Sequence, residues 1–231
     1  MKEKKVIVTI DWKVPHPDNH VEWQYWSTSR DRSHRSARNT FKYFWNAFGN
    51  HTSFAPHYEV YSADMFGCKD AKDLLPGKSC SKLCLSMDAC AFDPEEDTTV
   101  GLDGIDVLQE NVRQLCLWKN VNSTISSGMA WWDYMETFDT ECNTVDATQD
   151  IFNAVCSKNV LKKVGERNKE LDVKKVEKCI KEEGLELMKE QAELRATLGV
   201  VNLPAFMVND LQHYGGRYMF FQVDMHDEYN A

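Results

Sequence analysis

The chain has 231 residues, is 42% hydrophobic and carries a formal net charge of -9, with a pI near 5.3. That length suits one large domain or two small ones with a sizeable core, and the acidic balance argues against nucleic acid and anionic membrane surfaces as partners. Nothing in it approaches the roughly 18 consecutive apolar residues of a bilayer-spanning helix.

Met1-Lys2-Glu3-Lys4-Lys5 precedes Val6-Ile7-Val8-Thr9-Ile10, an apolar run too short and too strand-like for a signal peptide. It is expected to open a mature form or a domain of a longer chain. Val6 to Trp12 reads as a strand buried on both faces. Pro15-His16-Pro17-Asp18 is a loop, and Val21 to Trp26 alternates as a second strand. Ser27 to Ser36 is polar and basic, and runs into a helix from Ala37 to Phe48 that places Phe41, Phe44, Trp45 and Phe48 on one inward face. Phe54 to Tyr61 is a further strand.

Eight cysteines follow, at positions 68, 80, 84, 90, 116, 142, 156 and 179. Their even number, with sequons at Asn50-His51-Thr52 and Asn122-Ser123-Thr124, favours disulfides and glycosylation in an oxidising lumen or outside the cell. Zinc is the competing account, but Cys80-x-x-x-Cys84 lacks a second pair at finger spacing, so no metal is assigned. The pairing of Cys68, Cys80, Cys84, Cys90, Cys116, Cys142, Cys156 and Cys179 stays open. Asp93-Pro94-Glu95-Glu96-Asp97 offers carboxylates to calcium, yet it fits no EF-hand spacing and reads as a solvated loop.

From Cys68 to Leu171 the pattern is mainly helical. Leu108, Val112 and Leu115 define one amphipathic helix, and Trp131, Met135 and Phe138 another. Asp146-x-x-Gln149 resembles a capping box for a third helix carrying Ile151, Phe152 and Val155. Asp172 is expected to cap a fourth, with Val173, Val176 and Ile180 facing inward. Leu187, Leu194 and Leu198 mark a last helix that Gly199 ends. Asn202-Leu203-Pro204 then opens the strand Ala205-Phe206-Met207-Val208, Asn209-Asp210 turns the chain, and a short strand ends at Tyr214 before Gly215-Gly216. A proline in that place marks an edge, a strand start or a cis bond.

This helix, proline, hairpin order resembles the C-terminal half of the thioredoxin fold, where the proline is cis and its loop faces the active-site helix. The expected fold is therefore α/β: thioredoxin-like with a cysteine-rich, all-helical insertion, a DsbA-like arrangement. Its halves are 1–62 and 185–231, and the disulfide-stapled insertion is 63–184. A redox-active member places Cys-x-x-Cys at the start of the first long helix, where the helix N-terminus stabilises a thiolate. Here that neighbourhood offers Ser33-His34-Arg35-Ser36. Serine forms no disulfide, and His34 lacks the third group that would orient it as a base.

The resemblance sharpens over about residues 5–216. Pro15-His16-Pro17-Asp18, Cys90-Ala91-Phe92-Asp93-Pro94-Glu95-Glu96-Asp97, Gly101-Leu102-Asp103-Gly104-Ile105-Asp106-Val107, Arg113-Gln114-Leu115-Cys116, Trp131-Trp132-Asp133-Tyr134 and Leu203-Pro204 stand in one order. Together they resemble the central luminal thioredoxin-like region of the vacuolar sorting receptors. The resemblance implies a non-catalytic protein-binding domain without a cofactor, on the Golgi-to-vacuole route or outside the cell. It also implies partners that are proteins, extended peptides or other domains of a longer parent chain. Leu203, Pro204, Ser33 and Ser36 are the expected peptide-binding residues; Trp23, Tyr25 and Trp26 are added contacts if exposed, and more commonly such residues are core. Ser33 and Ser36 depart from the family, which has a cysteine pair there. Two other classes stay open: a scaffold component of a surface or extracellular assembly, and a thiol-disulfide oxidoreductase using Cys80 and Cys84.

Overall fold

The computed structural model describes residues 20–30, 35–122, 125–143, 154–209 and 211–214; for residues 35–37, 39, 125, 126 and 211–214 only the backbone is described. The expected strand at Val6 to Trp12, the Pro15 to Asp18 loop, Ser33, His34, the Asp146/Gln149 capping box, Ile151 and Phe152 lie outside these residues.

The sheet is built on β1 (Val21–Ser27), which pairs parallel with β2 (Thr52–Tyr58) and antiparallel with β5 (Ala205–Val208). β6 (Leu211–Tyr214) pairs antiparallel with β5, giving the order β2-β1-β5-β6. A parallel pair needs a crossover. Helix α1 (Arg35–Phe48) supplies it. The hairpin between β5 and β6 turns at Asn209, whose φ of 46° is a left-handed value that asparagine tolerates better than most residues.

Alternation along β1 divides its side chains between two cores. Trp23 and Tyr25 join Phe54, Phe41 and Trp45 in the main cluster, with Phe206 packed against it. Trp26 turns the other way, to Val200, Ala205 and Met207, with Leu194, Leu198 and Leu203 packed alongside. Ring centroids of Trp23 and Phe54 are 4.2 Å apart, and Phe54 lies 5.0 Å from Trp132 and 5.5 Å from Trp131. Such aromatic pairs add about 0.5–1.5 kcal/mol each beyond their area burial.

The insertion holds α2 (Cys80–Leu83), α3 (Gly104–Val121), α4 (Ile125–Glu141), α5 (Ala154–Arg167) and α6 (Val173–Glu182). It also contains a two-stranded ladder of β3 (Cys84–Ser86) and β4 (Ala89–Cys90), which the helical reading does not include. Leu108, Val112 and Leu115 of α3 and Trp131, Met135 and Phe138 of α4 are buried as their spacing predicts. Asp172 caps α6 by accepting the amides of Lys174 and Lys175. Val155 is a correction: it is 69% exposed, because α5 turns Val160, Leu161 and Val164 inward instead. Gly104 opens α3 where a Cβ would stand 2.2 Å from the Ala91 carbonyl oxygen, so any side chain there would force the helix away from the main chain just after β4.

Four disulfides staple the insertion: Cys68–Cys80, Cys84–Cys90, Cys116–Cys179 and Cys142–Cys156. Cys80 and Cys84 thus belong to different bridges, which corrects the oxidoreductase alternative: they form no dithiol pair. Helix α7 (Gly184–Leu198) leads back to the sheet and stops at Gly199, whose φ of 65° makes the left-handed C-cap.

Buried charge is concentrated between helices. Arg38 of α1 donates Nε at 2.9 Å and Nη2 at 2.5 Å to Asp139 Oδ2 of α4, and both side chains are about 95% enclosed. Glu110 of α3 accepts from the Tyr134 hydroxyl at 2.8 Å and Gln114 Nε2 at 3.0 Å, and pairs with Arg113. Gln114 Oε1 in turn accepts from the Tyr58 hydroxyl at 2.6 Å. Burial, then the Glu110 charge, hold both phenols well above the ordinary tyrosine range.

Candidate functional site

Strand register defines one end of the sheet. Ser27 is opposite Tyr58 and Trp26 is opposite Ala205, so the exit of β1, the exit of β2 and the Leu203–Pro204 entry to β5 share that end. The Leu203–Pro204 bond is cis. The loop leaving β1 is tied down from beneath: the Ser29 amide donates to Asn111 Oδ1 at 3.1 Å, its hydroxyl donates to the Val107 carbonyl at 3.1 Å, and Asn143 Nδ2 donates to its carbonyl at 3.2 Å. Three such bonds fix Ser29, two residues past the end of β1. The loop before Pro204 exposes Val201 at 68%.

Helix α7 lies along the exit of β2. Gln191 Oε1 accepts the Tyr58 amide at 3.1 Å and sits 3.1 Å from His57 Nδ1, while the imidazole stacks on Trp26 at 4.5 Å. Burial pushes the His57 imidazole down to about 4, outweighing the Gln191 hydrogen bond, which raises it. The unfolded chain therefore takes up this proton first as pH falls. Stability that is complete above the ordinary histidine pKa near 6.5 drains away between there and 4. The protein is expected to lose about 1.5 kcal/mol between pH 6.5 and 5 through this residue. Urea unfolding at the two pH values measures it, and His57→Gln should flatten the dependence; an unchanged slope in that variant would refute the assignment.

One turn further along α7, Arg195 lays its guanidinium 4.2 Å over the Tyr61 ring. The Tyr61 hydroxyl donates to Glu59, and the second Glu59 oxygen lies 3.7 Å from Arg30 Nη2. Arg30 also stands 5.6 Å over Phe92, which lies 4.9 Å from both Tyr61 and Phe66. Burial first, and then the Glu59 hydrogen bond, push the Tyr61 phenol far up, so it remains a neutral donor.

Of the expected site residues, Leu203 and Pro204 are half-buried at this end of the sheet, and Ser36 lies in the first turn of α1. Trp23, Tyr25 and Trp26 take the core alternative: at 4%, 2% and 0% exposure they pack into the apolar layers on the two faces of the sheet. Asn50 and Asn122 are exposed, as glycosylation acceptors must be. Three carboxylate oxygens of the acidic loop accept from the loop's own amides. Asp93 Oδ1 accepts from Glu95 and Asp97, Glu95 Oε2 from Leu102, and Asp97 Oδ1 from Thr99. Among the described residues no cluster of three metal-ligating side chains occurs. Arg30, Glu59, Tyr61, Phe92 and Arg195 were not legible as a group, since they come from distant segments without a shared motif.

Residues 21–222 match the family model described as the vacuolar sorting receptor thioredoxin-like domain. The chain is similar to vacuolar-sorting receptor 1 of Pisum sativum, 33% identical over 229 residues, covering 91% of this chain and 34% of the receptor. It is 32% identical over 229 residues to vacuolar-sorting receptor 3 of Arabidopsis thaliana, with coverage of 91% and 34%. It spans about a third of the length of these curated relatives. Among solved structures it is similar to reduced DsbA1 from Neisseria meningitidis, at 11% identity and a TM-score of 0.47, covering 90% of this chain and 81% of that one.

Proposed function

The chain belongs to the vacuolar sorting receptor family, as its thioredoxin-like domain, and on that premise we propose that it is a non-catalytic binding module that takes extended peptide across the sheet end at Leu203 and Pro204. The observation that carries the reading is the register, which assembles three chain segments and an exposed apolar loop at one end of a rigid sheet. Extended peptides are held by main-chain hydrogen bonds and by pockets for alternate side chains, and in this reading the segments around the strand entrance supply them. Ser33 and Ser36 follow β1 in sequence and are kept as candidate contacts in this reading. The lack of redox chemistry is supported by the serines at those positions and by four bridges that engage all eight cysteines. The bridges suit a luminal or extracellular setting on the secretory route. Among the described residues no helix is long and apolar enough to cross a membrane.

Selection of a displayed twelve-residue peptide library on the whole chain tests this. Binders are expected to lose about tenfold in affinity against Val201→Asp, a change at an exposed residue that leaves the core untouched. A library that enriches nothing, or binders indifferent to Val201→Asp, would defeat the reading.

A further inference from the structure

We propose that Arg195, stacked on Tyr61 beside the Arg30–Glu59 pair, receives a carboxylate of the bound peptide; the inference rests on the peptide-binding reading and specifies its ligand. The guanidinium carbon of Arg195 stands 4.2 Å from the centroid of the Tyr61 ring, a cation–π contact that restricts the side chain without using its N–H donors in a hydrogen bond to that ring. Its Nε is enclosed and makes no hydrogen bond among the described residues. The carboxylate within the cluster, Glu59, is already engaged by Arg30 at 3.7 Å and by the Tyr61 hydroxyl. Asp93 offers Arg30 only its main-chain carbonyl, at 3.5 Å, and gives Oδ1 to the amides of Glu95 and Asp97.

Among the described residues Arg195 pairs with no carboxylate, whereas Glu59 is already paired with Arg30 at 3.7 Å. Planar in-plane donors also suit a planar two-oxygen acceptor, which they can grip with parallel hydrogen bonds. The location fits the same end of the sheet. Gln191 and Arg195 are one turn apart on α7, and Gln191 reaches His57 and the Tyr58 amide where β2 ends. The Val200 amide donates to the Arg195 carbonyl at 3.2 Å, so the loop that carries Val201 and Pro204 starts from the Arg195 turn.

The carboxylate has two possible sources, a peptide C-terminus or an Asp or Glu side chain. Three capped peptides separate them: acetyl-Ala-Ala-Ala with a free C-terminus, acetyl-Ala-Glu-Ala amide, and acetyl-Ala-Gln-Ala amide as the neutral control. The readout is the Arg195 Nε–Hε resonance of the isotopically labelled whole chain, assigned by its loss in Arg195→Lys. One or both acidic peptides are expected to shift it saturably, at least about tenfold more tightly than the control, and the acidic peptide that does so identifies the source. Binding should weaken with added salt. The Arg30→Met variant, outside α7, should reduce the acidic response as well, so the test survives a poorly folded Arg195 variant. Equal responses to acidic and neutral peptides, or none to either acid, would overturn the assignment. Library binders that depend on Val201 but not on their own carboxylates would overturn it while leaving the peptide reading intact.

Discussion

Asp139→Ala should cost about 3–5 kcal/mol, because it strips the carboxylate from a guanidinium that cannot return to water without opening the packing of α1 on α4. Arg38 places both Nε and Nη2 on one Asp139 oxygen, and neither side chain is more than 6% exposed. The pair itself contributes much less than that, since desolvating two ions offsets most of their attraction. Arg38→Met combined with Asp139→Leu should therefore recover most of the loss. Guanidinium unfolding of the three variants separates the terms. A single variant that falls by less than about 1 kcal/mol, the range of an exposed pair, would mean that water reaches the site.

The second large effect is covalent. Replacing Cys116 and Cys179 together by alanine releases a link with a sequence separation of 63, and the chain-entropy relation assigns such a loop about 4 kcal/mol at 25 °C. The same relation gives about 2 kcal/mol for Cys84–Cys90, whose separation is 6. The ranking follows from loop length. Denaturant unfolding of the two double variants, each without a free thiol, should show it. A Cys84/Cys90 variant weaker than the Cys116/Cys179 variant would show that native-state contacts outweigh chain entropy here.

The sequence made the periodic elements visible, because helix faces such as Leu108, Val112, Leu115 and Trp131, Met135, Phe138 carry their own spacing into burial. The turn through Asn209, the Asp172 cap and the Gly199 stop were legible for the same local reason. Val155 misled because a helix has two candidate apolar faces when its neighbours are unknown, and tertiary packing selected Val160, Leu161 and Val164. The second strand begins at Thr52, before the apolar run, because Thr52 accepts the Trp23 indole N–H at 2.7 Å and donates to the Val21 carbonyl at 3.0 Å. It ends at Tyr58; beyond it the Glu59 amide bonds to Ser27 and Tyr61 bridges to Cys90. Cysteine pairing depends on which helices become neighbours, which spacing does not encode. The arginine and aromatic cluster was hidden for that reason too.

The Cys142–Cys156 bridge lies wholly inside the segment spanned by Cys116–Cys179, and Cys68–Cys80 and Cys84–Cys90 close two tighter rings upstream. Any single cut by a protease between Cys116 and Cys179, or within either smaller ring, therefore releases no fragment, since both new ends stay tethered through sulphur. Such a molecule can be nicked in a hydrolytic compartment and still remain one covalent body.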